Sequence, residues 1–270
     1  MKYTIIILTH NSERYLKQTL NSVYNQRLSD YELIIIDDYS NDKTIEILKK
    51  YQSKTNTKIY KNSKNLGIAK SVNKAVNYAQ GKWFLFLGHD DLLDKNHLRL
   101  FDKHLDKKTA LLHCNSSIIN SRGKIIGLAR KDYLQKIFNR NPLLCLSLFN
   151  YISSCGLIIN KKKFISVGGW DESLNNFGEW LLWIKLSNAG NFKYITEVKG
   201  YYRKHKSNTI KKLKSSKSLS TFFKYSILCL REAYEESNKS LISLLLYYSS
   251  AIIHTTMFFF RKLRNKFIHI

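Results

Sequence analysis

The sequence predicts an α/β fold: a mostly parallel β-sheet flanked by helices, with a helical extension at the C-terminus. Over the first hundred residues, short apolar runs alternate with segments of helical periodicity, which is the pattern of βαβ units. Acidic residues directly follow two of these runs, where open α/β sheets bind ligands. The 270 residues are enough to bury a sizeable core around such a sheet.

The first half of the predicted sheet begins with a β-branched run over residues 3–8. A helix with one apolar face follows over residues 16–23, after a polar entry suited to capping. A second strand over residues 33–36 runs directly into Asp37 and Asp38. These two carboxylates are therefore expected at the carboxyl end of that strand.

Two further helices and two further strands follow within the first ninety residues. Asp42 is the expected N-cap of a short helix over 45–48, and residues 59–60 are a weak third strand. A helix over 72–79 precedes Gly81 and a buried strand over 83–87. That strand ends in the sequence Gly-His-Asp-Asp, which places a second pair of carboxylates after a second strand.

The pattern is mixed from about residue 111 onward. The predicted elements are a hairpin over 118–126, a helical stretch over 134–149, a strand over 157–159 and a helix over 179–189 that Gly190 ends. We expect one domain over residues 1–210 and a basic and apolar extension over residues 211–270.

The four cysteines are widely spaced and form no C-x-x-C pair, so we expect reduced thiols and a reducing cytoplasm. We expect no secretory signal at the start of the sequence, because Lys2 is followed at once by a strand-like run. Forty-five Lys and Arg residues against twenty Asp and Glu residues give a formal net charge of +25. That charge attracts nucleic acid, anionic lipid or phosphorylated substrates, and it also fits a plain lysine-rich surface.

Residues 241–260 are mostly apolar, have about the length of a bilayer span, and precede the basic run RKLRNK. Serine, threonine and histidine side chains dilute the segment. An amphipathic helix lying in the membrane plane, bound through its cations to anionic headgroups, is favoured over a span. A core helix of the same domain is the alternative.

Several motifs over roughly residues 1–210 occur in an order and at a spacing that resemble family 2 glycosyltransferases of GT-A fold. The motifs are IIILTHNSERYL, ELIIIDDYSNDKT, NLGIAKSVNKAVNYAQGKWFLFLGHDDLL, VGGWDESL, FGEWLLWIKLSNAG and YYRKHKSNT. The resemblance implies an inverting enzyme that moves a sugar from a nucleotide-sugar donor, of which a UDP-sugar is the expected form.

The resemblance also implies a donor site made by the loop after the first strand and the acidic pair after the second. Thr9, His10 and Asn11 would border the nucleoside, and Asp38 would accept a hydrogen bond from the base. The remaining donor-side candidates are Asp37, Lys70 and Asp91. Helix capping and turn formation are the alternative roles of the Asp37–Asp38 pair.

Members of the resembled family hold a divalent cation with a D-x-D motif. The corresponding triplet here is Gly88-His89-Asp90, so the first aspartate is absent and Asp90 stands at the metal-ligand position. His205 matches a histidine of the family's late YR-x-H segment and is the second candidate ligand. We expect Mg²⁺ or Mn²⁺, which stabilises the charge on a leaving diphosphate.

Inversion needs a base on the acceptor side that takes the proton of the attacking hydroxyl. Alignment of WLLWIKL with the family's motif places Glu179 there, where an aspartate is usual. Glu179 is also an ordinary first-turn glutamate favoured by the helix dipole. Trp180 and Trp183 are candidates for contact with acceptor sugars, although their helical spacing also suits core residues.

The predicted function is transfer to a hydroxyl of a bacterial surface glycan or of its lipid-linked precursor, by an enzyme peripheral to the inner face of the cytoplasmic membrane. A nucleotidyltransferase is a weaker alternative, because LTHNSERYL lacks a glycine-rich phosphate loop. A transferase-like binding protein that has lost activity is the third possibility. No basic stripe with interleaved aromatics indicates nucleic-acid binding, and the oligomeric state stays open.

Overall fold

The computed structural model describes residues 1–174, 178–205 and 216–267. These residues form one sheet of nine strands with helices on both faces. The strands are β1 (Tyr3–Thr9), β2 (Tyr31–Asp37), β3 (Thr57–Lys61), β4 (Trp83–Gly88), β5 (Leu92–Leu93), β6 (Thr109–Ile119), β7 (Ile125–Leu128), β8 (Ile158–Asn160) and β9 (Asn191–Arg203). The helices are α1 (Leu16–Tyr24), α2 (Thr44–Lys49), α3 (Ile68–Tyr78), α4 (His97–Asp102), α5 (Asp132–Phe138), α6 (Pro142–Leu146), α7 (Lys161–Ser166), α8 (Gly178–Ala189), α9 (Ser216–Glu236) and α10 (Leu241–Phe267).

The strand order is β3-β2-β1-β4-β8-β6-β9-β5, and β7 pairs with β6. β3, β2, β1 and β4 are parallel neighbours, and β6 is parallel to β9. β8, β5 and β7 run antiparallel to their partners. The predicted α/β class with a mostly parallel sheet is therefore confirmed.

The parallel strands end together at one edge of the sheet. Thr9 at the end of β1 pairs with Asp37 of β2, and Leu8 pairs with Gly88 of β4. This register places the loop after β1, the acidic pair after β2 and the acidic turn after β4 side by side. The carboxyl edge is where open α/β sheets bind ligands.

Alternate residues of the buried strands face two separate apolar layers. Ile5 and Ile7 of β1 pack with α1, α2 and α4, whereas Ile6 and Leu8 pack with α3, α8 and α9. Strands covered on both faces read as continuous apolar runs, which is why β1, β2 and β4 are visible in the sequence. The two layers hold the carboxyl edge between them.

Strand β9 lies between β6 and β5 in the sheet and brings the chain back to the acidic turn. It runs beside β6, and its Gly200 and Tyr201 pair with the short strand β5. Because β5 directly follows Asp90 and Asp91, this pairing carries Arg203 and His205 to the same turn. The sequence did not predict β9, whose contacts are long-range and whose residues lack regular alternation.

Three local expectations differ from the structure. The helical stretch over 134–149 is two helices, because Pro142 starts α6 and Asn141 caps it by accepting from Leu144 N. α1 begins only after Tyr15, without a side-chain cap. Gly81 lies beyond the end of α3, and a Cβ there would meet Tyr3 C at 2.5 Å, so glycine permits the close approach to β1.

The C-terminal helices begin after residues 206–215, which are outside the described residues. The expected domain boundary at residue 210 and the end of the YYRKHKSNT motif fall in this segment. α9 packs on α8 and contributes Cys229, Leu230 and Ala233 to the apolar layer on that face. α10 packs on α9. Among the described residues, α10 is the one helix that is long and apolar enough to cross a membrane, over Leu241–Phe259. The division at residue 210 stays a prediction.

Candidate active site

Asp37 at the end of β2 shapes the loop beside β1. Its Oδ1 accepts from Thr9 Oγ1 at 2.9 Å, and its Oδ2 accepts from Ser40 N at 3.0 Å. Both Thr9 and Asp37 are buried. These contacts fix the turn after β2 against the turn after β1. Thr9 and Asp37 therefore hold in position the two loops that border the site.

Asp38 orders a second loop. Its carboxylate accepts from Asn62 Nδ2 at 2.8 Å, Leu66 N at 2.7 Å and Gly67 N at 2.8 Å. Three of its roughly four acceptor positions are therefore used within the protein. One position remains for a donor such as a base N–H, and the loop before α3 is held in place.

Exposed side chains surround these two buried carboxylates. His10 Nδ1 lies 2.8 Å from the carbonyl oxygen of Asp38, and Asn11 Oδ1 accepts from Asn41 N at 2.9 Å. Asn11 has a left-handed backbone, with φ of 52°. Lys70 is exposed in the first turn of α3. The structure thus brings the expected donor-side residues of β1, β2 and α3 to one edge.

Asp90 and His205 meet at the neighbouring acidic turn. Asp90 Oδ2 lies 2.7 Å from His205 Nε2, and the side chains are 16% and 7% exposed. The His205 ring packs on Tyr15, with ring centroids 5.0 Å apart. The two candidate metal ligands, distant in sequence, are adjacent in the fold.

Asp91 has different surroundings from Asp90. It is buried, and its Oδ1 accepts from Arg203 N at 2.9 Å. Burial, and then the neighbouring Asp90 charge, raise the pKa of the Asp91 carboxyl well above its usual range. Asp91 therefore stabilises the turn that carries Asp90.

Arg203 ties this turn to α1 and to the loop after β6. Its side chain donates to Asp90 O at 2.7 Å, Gln18 Oε1 at 2.9 Å and Asn120 O at 3.3 Å. The guanidinium lies 4.6 Å from the centroid of the Tyr15 ring. A fully buried arginine with these partners sets the position of the Asp90–His205 pair.

Asp90 and His205 offer one carboxylate oxygen and one imidazole nitrogen, which suit Mn²⁺ and, with less preference for the nitrogen, Mg²⁺. Within the described residues, no group of three or more His, Cys, Asp or Glu side chains is placed to hold a metal ion. This donor set fits a cation that takes its other ligands from a diphosphate and water, as Mg²⁺ commonly does.

Glu179 lies half-buried in the first turn of α8. The Ser154 hydroxyl donates to its Oε1. Burial raises the pKa of the Glu179 carboxyl, and the Ser154 hydrogen bond opposes part of that rise. A carboxylate with a raised pKa is better suited to accept a proton near neutral pH.

Glu179 and the acidic turn line one cavity of about 480 Å³. Its wall includes Gly88 and Asp91 on one side and Ser154 and Glu179 on the other, with Arg130 also lining it. A volume of this size is typical of a small-molecule site. The structure thus joins the expected base to the end of β4 across one space.

The expected placement of Trp180 and Trp183 on the acceptor side is corrected by the structure. Both rings are buried in the apolar layer formed with α9, and Trp180 Nε1 donates to Leu146 O at 2.9 Å. α8 is covered by the sheet on one side and by α9 on the other. Both tryptophans are core residues.

Sequence reasoning missed Arg203 and Ser154. Arg203 stands inside the YYRKHKSNT motif, which was a usable signal although no role was assigned to it. Ser154 lies in an irregular segment before β8, where no periodicity marks it.

The family model "Glycosyl transferase family 2" matches residues 4–165, which is more than half of the chain. The chain belongs to glycosyltransferase family 2. It is 28% identical over 226 residues to an uncharacterized glycosyltransferase of Methanocaldococcus jannaschii, covering 81% of this chain and 77% of that protein. It is 27% identical over 213 residues to the chondroitin synthase of Escherichia coli, covering 78% of this chain and 30% of that protein.

The fold is also that of a solved glycosyltransferase structure. Residues 1–349 of Staphylococcus aureus TarS, in complex with UDP-GlcNAc, match with a TM-score of 0.72 at 22% identity, over 88% of this chain and 69% of that chain. By sequence, TarS, a poly(ribitol-phosphate) beta-N-acetylglucosaminyltransferase, is 33% identical over 127 residues, covering 46% of this chain and 22% of TarS. The chain thus spans less than two thirds of the length of several relatives. The likeness confirms the expected GT-A fold.

Proposed function

We propose that this family 2 protein is an inverting glycosyltransferase that moves a sugar from a nucleotide-sugar, of UDP type, to a hydroxyl of a bacterial surface glycan or lipid-linked precursor. The cavity that Glu179 shares with the acidic turn carries the proposal. UDP-GlcNAc bound to TarS, which has the same fold, supports the donor class. The relatives named for chondroitin and poly(ribitol-phosphate) support a glycan-type acceptor.

The donor side is the carboxyl edge of β1, β2 and β4. The residues proposed to bind the nucleotide-sugar are Thr9, His10, Asn11, Asp37, Asp38, Lys70 and Asp91. Asp38 retains one free acceptor position for a base N–H, and the exposed Lys70 ammonium suits a diphosphate. The buried members of the set act by holding the loops in position.

Asp90 and His205 would hold Mg²⁺ or Mn²⁺. When bound, such a cation offsets the negative charge that develops on a departing diphosphate. A mannosyltransferase of Pyrobaculum calidifontis in complex with GDP-Man and Mn²⁺ matches this fold with a TM-score of 0.58 at 12% identity, over 97% of this chain and 84% of that chain. Arg203 keeps the Asp90 backbone fixed beneath the pair.

Glu179 is the proposed base. The acceptor oxygen attacks the anomeric carbon, the bond from that carbon to the diphosphate oxygen breaks, and its electron pair leaves with the nucleotide. The acceptor proton passes to Glu179. Because Ser154 occupies Oε1, we assign proton transfer to Oε2.

The C-terminal extension, residues 211–270, is proposed to hold the enzyme on the inner face of the cytoplasmic membrane. Exposed apolar side chains recur along α10 at helical spacing; they are Leu241, Ile242, Leu245, Tyr248, Ile252, Ile253, Met257 and Phe259. The opposite side is attached to the domain, where His254 Nε2 lies 3.0 Å from Leu148 O and Ser250 is buried. This two-sided arrangement favours a helix in the membrane plane over a span.

The test is a panel of UDP-, GDP- and dTDP-sugars, incubated with and without Mn²⁺ while release of nucleoside diphosphate is measured. We expect one nucleotide-sugar to be hydrolysed slowly and only with the cation, and Asp90→Ala to abolish this release. Release of pyrophosphate from a nucleoside triphosphate and a sugar phosphate would identify a nucleotidyltransferase instead. Failure to bind any donor would identify a non-catalytic protein.

Membrane attachment is tested separately by co-sedimentation with phosphatidylcholine vesicles that contain or lack phosphatidylglycerol. The double substitution Leu245→Ser and Ile252→Ser should weaken retention of the protein on anionic vesicles. Ile165→Ser, an exposed position on α7, is the matched control. Equal retention of all three proteins would contradict the membrane part and leave the transfer reaction untouched.

A further inference from the structure

A second apolar and basic surface lies at the mouth of the active-site cavity, and α10 is not part of it. We call it the β7–α5 surface and define it as residues 122–140. Five of its large apolar side chains are between 48% and 57% exposed. They are Ile125, Ile126, Leu128, Tyr133 and Ile137.

Among the residues that the structure describes, none covers either face of strand β7. All four of its residues are exposed, although successive side chains of a strand point to opposite sides. Among the described residues β7 pairs with β6 alone, so its outer edge is open. An exposed apolar edge strand is normally shielded, and this one has isoleucine and leucine side chains instead of the charges that protect such edges.

The charges beside these apolar residues have one sign. Exposed cations flank β7 and line α5; they are Arg122, Lys124, Lys131, Lys136 and Arg140. The one acid in the segment, Asp132, accepts from Tyr194 Oη at 2.6 Å and pairs with Lys199 at 3.2 Å. Its negative charge is therefore already compensated, and the surface is positive.

The surface begins where the cavity ends. Ala129 and Arg130, which directly follow β7, line the cavity that contains Glu179. Arg130 Nη2 donates to Asn150 O at 2.8 Å and so fixes this end of the segment against the cavity wall. Anything docked on the β7–α5 surface lies next to the entrance.

We propose that the β7–α5 surface docks on an anionic lipid bilayer, with β7 inserted among the headgroups and the flanking cations on the lipid phosphates. Apolar side chains surrounded by lysine and arginine are the pattern of in-plane membrane contact. A second copy of the chain is the poorer occupant, because an isologous contact would set five cations against the same five. The binding itself does not depend on the proposed transfer reaction.

A local probe separates this contact from that of α10. Ile126→Trp in the full chain introduces an indole at β7, and the four native tryptophans are buried, so their emission should stay constant. We expect the emission to shift to shorter wavelength on addition of phosphatidylcholine vesicles containing phosphatidylglycerol. Ile165→Trp on α7 is the matched control and should not shift. No shift at position 126, or an equal shift with pure phosphatidylcholine, would overturn the proposal.

Charge removal gives a second readout. Lys131→Gln with Lys136→Gln should weaken binding to the anionic vesicles on the order of tenfold. Lys49→Gln with Lys50→Gln, at two exposed positions where helix α2 ends, should change it little. Equal effects of the two pairs would contradict docking through this surface. A wavelength shift that appears without lipid, together with dimers in sedimentation velocity, would instead identify contact between copies. Hydrolysis of nucleotide-sugar, measured without vesicles, should be unchanged in every variant. Failure of the membrane proposal can therefore be distinguished from failure of the proposed transfer reaction.

Discussion

Asp90 Oδ2 and His205 Nε2 lie 2.7 Å apart although 115 positions separate them in the sequence. The contact depends on the β5–β9 pairing and on Arg203, whose backbone N–H donates to Asp91 and whose side chain donates to Asp90 O. The proposed cation site, assembled from two distant segments, is therefore supported by Arg203, a residue with no proposed role as a cation ligand. Such supporting contacts commonly decide how well a metal site holds its ion.

Removal of either member of this pair should weaken cation-dependent donor binding. Asp90→Asn and His205→Gln keep the side-chain size and are each expected to lower the Mn²⁺-dependent affinity for the donor on the order of 100-fold. Isothermal titration of the nucleotide in the presence and absence of Mn²⁺ measures this. Asp30→Asn, at an exposed carboxylate, is the control. Equal Mn²⁺ dependence in all proteins would remove Asp90 and His205 from the cation site.

Transfer should rise with pH through the ionisation of Glu179. Burial raises the pKa of this carboxyl above the ordinary value of 4.5, and a base must be deprotonated to act. The apparent pKa of the rising limb of kcat/KM should therefore lie above 4.5. Glu179→Gln should lower transfer by about 100-fold or more while donor binding is retained. A Glu179→Gln variant with full activity would exclude the assignment.

The same carboxyl has a predictable effect on stability. A raised pKa in the folded state means that the folded protein binds the proton more tightly than the unfolded chain, so stability falls as pH rises above the ordinary glutamate pKa. Glu179→Gln should therefore be at least as stable as the parent at pH 7, and its advantage should vanish in acid. Thermal unfolding over a pH series measures this, with the exposed Glu46→Gln as control. A loss of stability at pH 7 that persists in acid would contradict the burial argument.

Much of the fold could be predicted because its central strands are buried on both faces. β1, β2 and β4 are continuous apolar runs, and their ends mark the ligand edge without any knowledge of register. β9 and β5 could not be predicted in this way, because strand pairing across a hundred residues is set by tertiary packing. Motif order suggested the roles of Asp90 and His205. Their contact could not be predicted, because it depends on the same long-range strand pairing.

The tryptophans of α8 show a different limit. Helical periodicity identifies one buried face, yet the apolar residues of α8 are spread over more than one face because the sheet and α9 cover two sides of the helix. No pattern within the helix could separate a ring facing a ligand from one facing the core. The packing of α9 on α8 is a long-range contact, and it buries Trp180 and Trp183.

Arg203 should contribute to stability as well as to the site. Arg203→Ala would leave the carbonyl of Asp90 and the amide of Gln18 without their donor and would open a cavity beside Tyr15. We expect the free energy of unfolding to fall by about 2–4 kcal/mol. Denaturant unfolding measures this, and Arg99→Ala at an exposed position of α4 should change it by less than about 0.5 kcal/mol. Similar small losses in both variants would mean that the buried network is not needed for the fold.

Gly88 stands where the D-x-D motif has its first aspartate, and its surroundings predict what restoring that residue would do. A Cβ at Gly88 would lie 3.0 Å from Asp91 Oδ2 and 3.1 Å from Asp90 Oδ1. Gly88→Asp therefore adds a third carboxylate to two that are already close, and like charges at short range disfavour ionisation and folding. We expect this variant to unfold at lower temperature than the parent without a divalent cation and to gain more from Mn²⁺ than the parent does.

Gly88→Asn has nearly the same size without the charge and separates crowding from repulsion. It should share the steric part of the destabilisation and should not gain the additional stabilisation by Mn²⁺. Thermal unfolding of the three proteins with Mn²⁺ and with a chelator makes the comparison. If the aspartate and asparagine variants respond alike to the cation, the turn after β4 does not face the ion, and the Asp90–His205 pair would be a hydrogen bond with a structural role only.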